Sequence, residues 1–443
     1  MINISSKNIW RVAYPILISL AMEQLLGMTD TAFLGRVGEI ELGASALAGV
    51  FYTVVFMLGM GFSIGVQIII GKRNGSGNYA DVGKAFWQGT YFLIALALIL
   101  CLVFELFTPA LMDIMVSSDN IRAASCDYLR YRIPSLLFAF GTAMYRAFYV
   151  GTTQTKTLTF NSLVMVVANI FFNWVLIFGK LGLPAMGIKG AALGSTLAEA
   201  VTLMVFIART PKVCDRSKYG LDKVQKIDFK ELKSILRVSL WTMIQNFVSI
   251  FTWFIFFLFI EHTGERALAI SNIIRNTSGL VWMVLMAFAS TSSTLVSNLI
   301  GEGRYESVRP LILRVCKITY TCLIPLLLLF CLFPKLVLGI YTDINDLIIN
   351  SIPSLWVLAA SYLLTIPATI LFQSVCGTGK TKVAFLLELS ALLVYTIFCY
   401  IIIELMHSDV ALCWSSEAVY AAVMLLSSAL YLRSQKWCEQ TEK

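Results

Sequence analysis

The sequence predicts an all-α membrane protein of twelve transmembrane helices arranged as two parallel six-helix repeats. Three observations carry that expectation. Apolar residues run in long unbroken blocks, Lys and Arg gather in alternate connections, and the second half of the chain repeats the first at a constant offset.

Of 443 residues, 58% are hydrophobic and only 14% charged, whereas a water-soluble domain carries about 25% charged residues. Tyr91–Phe104 (YFLIALALILCLVF) and Thr321–Phe333 (TCLIPLLLLFCLF) are typical blocks. With uncharged neighbours each reaches the roughly 20 residues that span a bilayer core as helix. Outer-membrane strands alternate apolar and polar positions, and these blocks do not. The first ten residues are polar, and the apolar stretch after them carries Glu23 and Asp30, unlike a cleaved signal. Ten cysteines lie mostly in apolar blocks without a C-x-x-C pair, as packing residues do.

In order, the spans are 9–34, 44–70, 84–107, 129–151, 157–179 and 187–209, then 237–260, 266–299, 311–334, 348–376, 382–404 and 409–432. With the N-terminus inside, the cytoplasmic connections hold Lys72, Arg73 and Lys84; Lys156; Arg304 and Arg309; Lys380 and Lys382. The central connection, from Arg209 to Arg237, holds nine Lys or Arg residues. Glu39, Glu41, Asp113, Asp119, Asp343 and Asp346 lie in the opposite loops. This bias places both termini in the cytoplasm of a multi-pass cell (inner) membrane protein. It assigns the net charge of +8 to orientation in the lipid bilayer, not to nucleic acid. The expected organisation is an N-terminal lobe at 1–208, a basic cytoplasmic linker at 209–236 and a C-terminal lobe at 237–443.

Adding 226 to a residue number finds its counterpart. Gly38-Glu39 maps to Gly264-Glu265, Met57 to Met283 and Phe62 to Phe288. GSGNYADV at 75–82 falls on GEGRYESV at 301–308, and Gly151-Thr152 on Gly377-Thr378. Six spans per repeat is an even number, so the halves are parallel and related by an axis along the membrane normal.

Pro15, Met28-Thr29-Asp30-Thr31 and Gly35 resemble the first-helix pattern of the multidrug and toxic compound extrusion (MATE) family. Asn169-x-x-x-Asn173, GIKGAALGST at 187–196, the glycine-rich connections and the Gly-Thr turns at Gly151 and Gly377 resemble it too. The resemblance implies a V-shaped pair of six-helix lobes. It implies a secondary antiporter that exports organic, cationic or amphipathic compounds in exchange for H⁺ or Na⁺, as a monomer and without a cofactor. It also implies a cation-coupling site, open to Na⁺, at Asp30, Asn169, Asn173 and Thr196. One branch of the family places further acids in the seventh and tenth helices. Here those helices offer Gln245, Asn246 and Gln373, so the chain is closer to the DinF-like branch.

Depth supports the same four residues. Counted from the helix ends at about 1.5 Å per residue, they fall in one layer roughly 7–15 Å below the outer face. Under the +226 offset Asp30, Asn169 and Asn173 become Phe256, Tyr395 and Cys399, so the layer belongs to one half only. An ionisable group inside a bilayer is a functional candidate by default. Glu23, two turns before Asp30, and Glu199 and Arg275, at mid-depth, are candidates for a proton path or a substrate contact, as are Gln245 and Gln373. The structural alternative pairs Glu23 with a basic residue such as Arg275. Glu388 and Arg146 read as residues that snorkel or pack against loops near the inner face.

No G-x-x-x-x-G-K-[ST] loop, metal-ligand spacing or nucleophile elbow occurs in the sequence, so an enzyme is not expected. A flippase of lipid-linked saccharides is the alternative of related architecture. It needs several basic residues lining the spans, of which Arg146 and Arg275 are the two that stand out. An intramembrane enzyme would have to rely on Glu23 with Glu199.

Overall fold

Backbone N–H and C=O groups have no water to bond in a bilayer core, so a chain this apolar satisfies them internally. The computed structural model describes residues 4–116 and 118–438, and every regular element among them is helical. The helices are α1 (Ser6–Leu34), α2 (Glu39–Gly75), α3 (Tyr79–Met115), α4 (Asp119–Arg132), α5 (Leu136–Gly151), α6 (Lys156–Phe178), α7 (Gly187–Val213) and α8 (Phe229–His262). They continue with α9 (Glu265–Gly301), α10 (Val308–Leu332), α11 (Pro334–Leu338), α12 (Asn345–Gly377), α13 (Thr381–Cys399), α14 (Val410–Cys413) and α15 (Ser416–Arg433). A π-helical stretch, Tyr400–Leu405, extends α13. Among the described residues, eleven helical segments are long and apolar enough to cross a membrane.

The twelfth crossing differs from its expected form. In place of one helix over 129–151, α4 and α5 meet at a 3₁₀ turn, Ile133–Ser135. Pro134 in that turn has no N–H to offer the preceding turn and its ring crowds the backbone behind it. The helix also starts ten residues earlier than the apolar run does. Its polar first part stays helical because Ser125, Tyr128 and Arg132 are buried in protein.

The repeat is visible in the helix ends. α2 and α9 are both 37 residues long and begin and end 226 apart. Asp119–Gly151 has the 33-residue length of α12, which starts and stops 226 later but runs unbroken. α2 and α9 are also the innermost spans, with 61% of each apolar window buried against 11% for α3. Gly151 and Gly377 explain why the Gly-Thr turns recur. A Cβ on Gly151 would stand 2.9 Å from the Gln67 carbonyl, and one on Gly377 would come closer still to the Ser293 carbonyl. Positions 67 and 293 are themselves 226 apart, so one backbone crossing is built twice.

The chain forms two compact units, Tyr14–Met243 and Met1–Ala13 with Ile244–Lys443. The first turns of α1 therefore belong with the C-terminal half, and the first turns of α8 with the N-terminal half. In the first unit the central basic stretch is tied along α3. Gln88 donates to the Lys226 carbonyl at 2.8 Å and Tyr91 to the Gln225 carbonyl at 2.6 Å. Thr242 of α8 donates to the Gly61 carbonyl of α2 at 2.7 Å.

Candidate functional site

Helices α6 and α7 approach closely because α7 presents glycine where they cross. A Cβ on Gly190 would lie 2.6 Å from the Leu176 carbonyl, and one on Gly194 2.5 Å from Asn173 Oδ1. Small residues four apart let two membrane helices pack backbone to backbone. That packing turns the Asn169 and Asn173 side chains, both fully buried, toward α7 and α1.

There they meet Asp30. Asn173 Nδ2 donates to Asp30 Oδ1 at 2.6 Å and to Asn169 Oδ1 at 3.1 Å. Ser195 Oγ donates to Asp30 Oδ2 at 3.3 Å, and Asn169 Nδ2 donates to Ser195 Oγ at 3.0 Å. Three helices thus hold one carboxylate in a closed set of hydrogen bonds. Asp30 is half-buried, and Asn173 Oδ1 is a buried acceptor with no donor. The carboxylate, two amide oxygens and the serine hydroxyl form a cluster of hard oxygen ligands. Such a cluster suits a small cation or a proton.

Thr196 stands elsewhere. Its hydroxyl lies 2.8 Å from the Tyr131 carbonyl and 2.9 Å from the Ala192 carbonyl, which share its one proton, and the adjacent Ser195 occupies the place expected of it. Residues 195 and 196 differ by about 100° around the helix, so the helix rotation decides which one faces α1.

Beside this cluster lies an ion pair that the sequence reading missed. Arg132, at the end of α4, donates to Glu199 Oε1 of α7 at 2.7 Å and to Ser135 Oγ at 3.2 Å. Its guanidinium lies 4.2 Å from the centroid of the Tyr52 ring, and Tyr52 OH is 2.8 Å from Ser135 Oγ. Arg132, Glu199, Tyr52 and Ser135 are all buried, and the charge of Arg132 also acts on Asp30. Glu199 Oε2 has no donor. With all three groups ionised, two carboxylates face one guanidinium, and this cluster carries one net negative charge.

The other candidates fall into separate places. Glu23 pairs with Arg146 at 2.8 Å, not with Arg275, and its side chain is 47% exposed. Arg146 is therefore an ion-pair partner, not a snorkelling residue. Arg275 is exposed on α9, with its guanidinium 5.3 Å from the Phe257 ring centroid and 6.0 Å from that of Trp253. Glu23 and Glu199 sit in two different ion pairs, with Arg146 and Arg132 respectively. Arg132 joins the arginines inside the spans, but Glu199 engages it, as Glu23 engages Arg146. Gln245 is buried on α8 and belongs to the C-terminal unit, whereas Gln373 is half-buried on α12 and bonds to neither group. No group of three His, Cys, Asp or Glu side chains arranged for a metal occurs among the described residues.

Known proteins supply the context. The MatE family pattern matches residues 15–175 and again 242–401, so the second match begins 227 and ends 226 residues after the first. A probable multidrug resistance protein NorM of Thermotoga maritima is 26% identical over 382 residues, 85% of this chain and 80% of that protein. Among solved structures, a MATE transporter in a straight conformation superposes with a TM-score of 0.88 at 18% identity, covering 97% of this chain and 96% of that one. A MOP superfamily transporter from Pyrococcus furiosus, described as having a binding pocket of reverse polarity, gives 0.87 at 18% identity, covering 97% and 95%. At that identity the likeness speaks for the fold alone.

Proposed function

The chain belongs to the MatE family of membrane transporters, and from that premise we propose that it is a secondary antiporter. It exports organic, cationic or amphipathic compounds across the cell membrane in exchange for H⁺ or Na⁺. The names of relatives, multidrug resistance proteins among them, support the substrate class. The Lys and Arg distribution supports cytoplasmic termini.

One observation carries the coupling role: beside the buried Arg132–Glu199 pair, the half-buried Asp30 carboxylate is held by amide and hydroxyl donors and has no cation of its own. A partly buried carboxylate without a paired cation is costly, so this site gains stability from one proton or one monovalent cation. Asp30 is the coupling residue. Asn169, Asn173 and Ser195 hold its carboxylate, and Thr196 braces α7 against α4. Arg132 and Glu199 set the local charge. Taking up the ion removes the net charge and so changes which conformation of the transporter is favoured. A ligand shifts such an equilibrium only by its differential affinity for the two states.

The test is transport by purified protein in liposomes, with pH and Na⁺ gradients imposed separately over a panel of organic cations. Uphill movement of at least one cation under one of the two gradients is expected. No movement under either gradient, together with transfer of a lipid-linked saccharide, would overturn the reading.

A further inference from the structure

We infer that Glu388, on α13, is a second proton-binding site, built into the C-terminal unit by α8, α12, α13 and α15. Sequence reading left this residue to loop packing, yet its side chain is buried. Ser249 Oγ of α8 lies 2.5 Å from Glu388 Oε1, and Tyr420 OH of α15 lies 3.3 Å from the same oxygen. The Gln245 amide of α8 also reaches the carboxyl group and the Cys376 thiol of α12.

Counting protons shows why the site asks for one more. A serine hydroxyl has one proton to donate. Ser249 Oγ stands 2.8 Å from the Gln245 backbone carbonyl as well as 2.5 Å from Glu388 Oε1. If its proton goes to the carbonyl, the contact with Glu388 needs a proton from the acid. Two further acceptors, Glu388 Oε2 and Gln245 Oε1, are buried without any donor. A proton taken from water onto the carboxylate turns Glu388 into a donor and satisfies one of these oxygens. Its release restores the hydroxyl-solvated carboxylate. An amide beside the acid suits both states, because it presents either its NH₂ or its C=O. The titratable neighbours are the Cys376 thiol and the Tyr420 hydroxyl, and Glu417 acts on that tyrosine. None of these is a cation that would fix Glu388 in its charged form.

The repeat shows that the scaffold does not require this acid. At an offset of 226, Gln245 corresponds to Ser19 and Glu388 to Ser162. Those two serines bond each other at 2.7 Å, a self-sufficient contact at the same crossing. The C-terminal unit replaces it with a carboxyl group and leaves acceptors unpaired.

Infrared pH-difference spectroscopy of the purified protein tests the inference without transport. A carboxylic C=O band that titrates with pH is expected in wild type and in Asp30→Asn, and lost in Glu388→Gln. Should Glu388→Gln fail to fold, Ser249→Ala serves, and it moves the midpoint of that band while keeping its amplitude. Identical spectra for wild type and Glu388→Gln, or an unmoved midpoint in Ser249→Ala, would overturn the assignment. So would loss of the band when Na⁺ replaces a larger cation at constant ionic strength, which would mean the site holds sodium. The inference rests on the antiport reading only for its consequence in transport, where Glu388→Gln lowers the number of protons exchanged per substrate by one. Absence of proton exchange in wild type would count against antiport of protons, while the infrared band would still decide whether Glu388 binds one.

Discussion

Two copies of one helical plan carry different chemistry at matching places. In the N-terminal half, Asp30, Asn169 and Asn173 form a hydrogen-bonded set across α1 and α6. The counterparts in the C-terminal half are Phe256, Tyr395 and Cys399, with the Phe256 ring 5.4 Å from that of Trp414 and 6.3 Å from that of Tyr395. Arg132 corresponds to Leu358, and the 3₁₀ turn that follows Arg132 has no counterpart in the unbroken α12. Aromatic packing is enough to join these helices. A carboxylate held by amides at this crossing costs stability that aromatic packing does not, so its presence in the N-terminal half points to a task its aromatic counterpart does not share.

Moving the acid tests this comparison most severely. Phe256→Asp should destabilise the protein by more than about 3 kcal/mol, because an aspartate there meets apolar rings and no amides. Its thermal unfolding temperature and detergent-solubilised yield would show this, and a wild-type transition would mean the two sites are equivalent. Next in size, Arg132→Met leaves Glu199 buried without a partner, at a cost of about 3–5 kcal/mol. Arg132→Met combined with Glu199→Met should recover most of that loss in the same unfolding assay. A further loss in the double variant would mean the pair is not the source of the effect.

Ser195 and Thr196 separate by register. Ser195→Ala removes a hydrogen bond to a charged group, worth about 1.5–3 kcal/mol, and should slow gradient-driven transport several-fold. Thr196→Val removes a bond to backbone carbonyls and should leave the rate near wild type. The opposite order would return Thr196 to the ion site. The smallest effect belongs to the basic connection. Burial pushes the Cys214 thiol up to about 11, so at pH 8 nearly all of it stays protonated and unreactive. Maleimide should label it slowly at pH 8 and faster as the pH rises toward 11, and rapid labelling at pH 8 would show that the stretch along α3 is loose.

Much of this was legible in the chain. Uncharged runs gave the spans, and the glycine and tyrosine pattern gave the repeat, down to helix ends 226 residues apart. Asp30, Asn169 and Asn173 stood out because polar residues are conspicuous against an apolar background. Arg132 did not, because it falls in the first turn of the expected span 129–151, behind a polar stretch that looked like a loop and that burial in protein keeps helical. Its signal was the Tyr128-Leu129-Arg130-Tyr131-Arg132 run ahead of Pro134, where a helix is expected to break. The choice between Ser195 and Thr196 depends on how α7 is rotated, which glycine packing at Gly190 and Gly194 decides. Glu388 was misread because distance from a helix end says nothing about which side of the helix faces protein.

Whether Asp30 carries the exchanged ion is tested most directly by the counterflow of H⁺ or Na⁺ that accompanies substrate movement in liposomes, compared between wild type and Asp30→Asn. The variant should still bind substrate but lose the ion movement carried at Asp30, leaving at most the one proton of Glu388 per substrate. An ion flux equal to wild type would contradict the coupling role of Asp30.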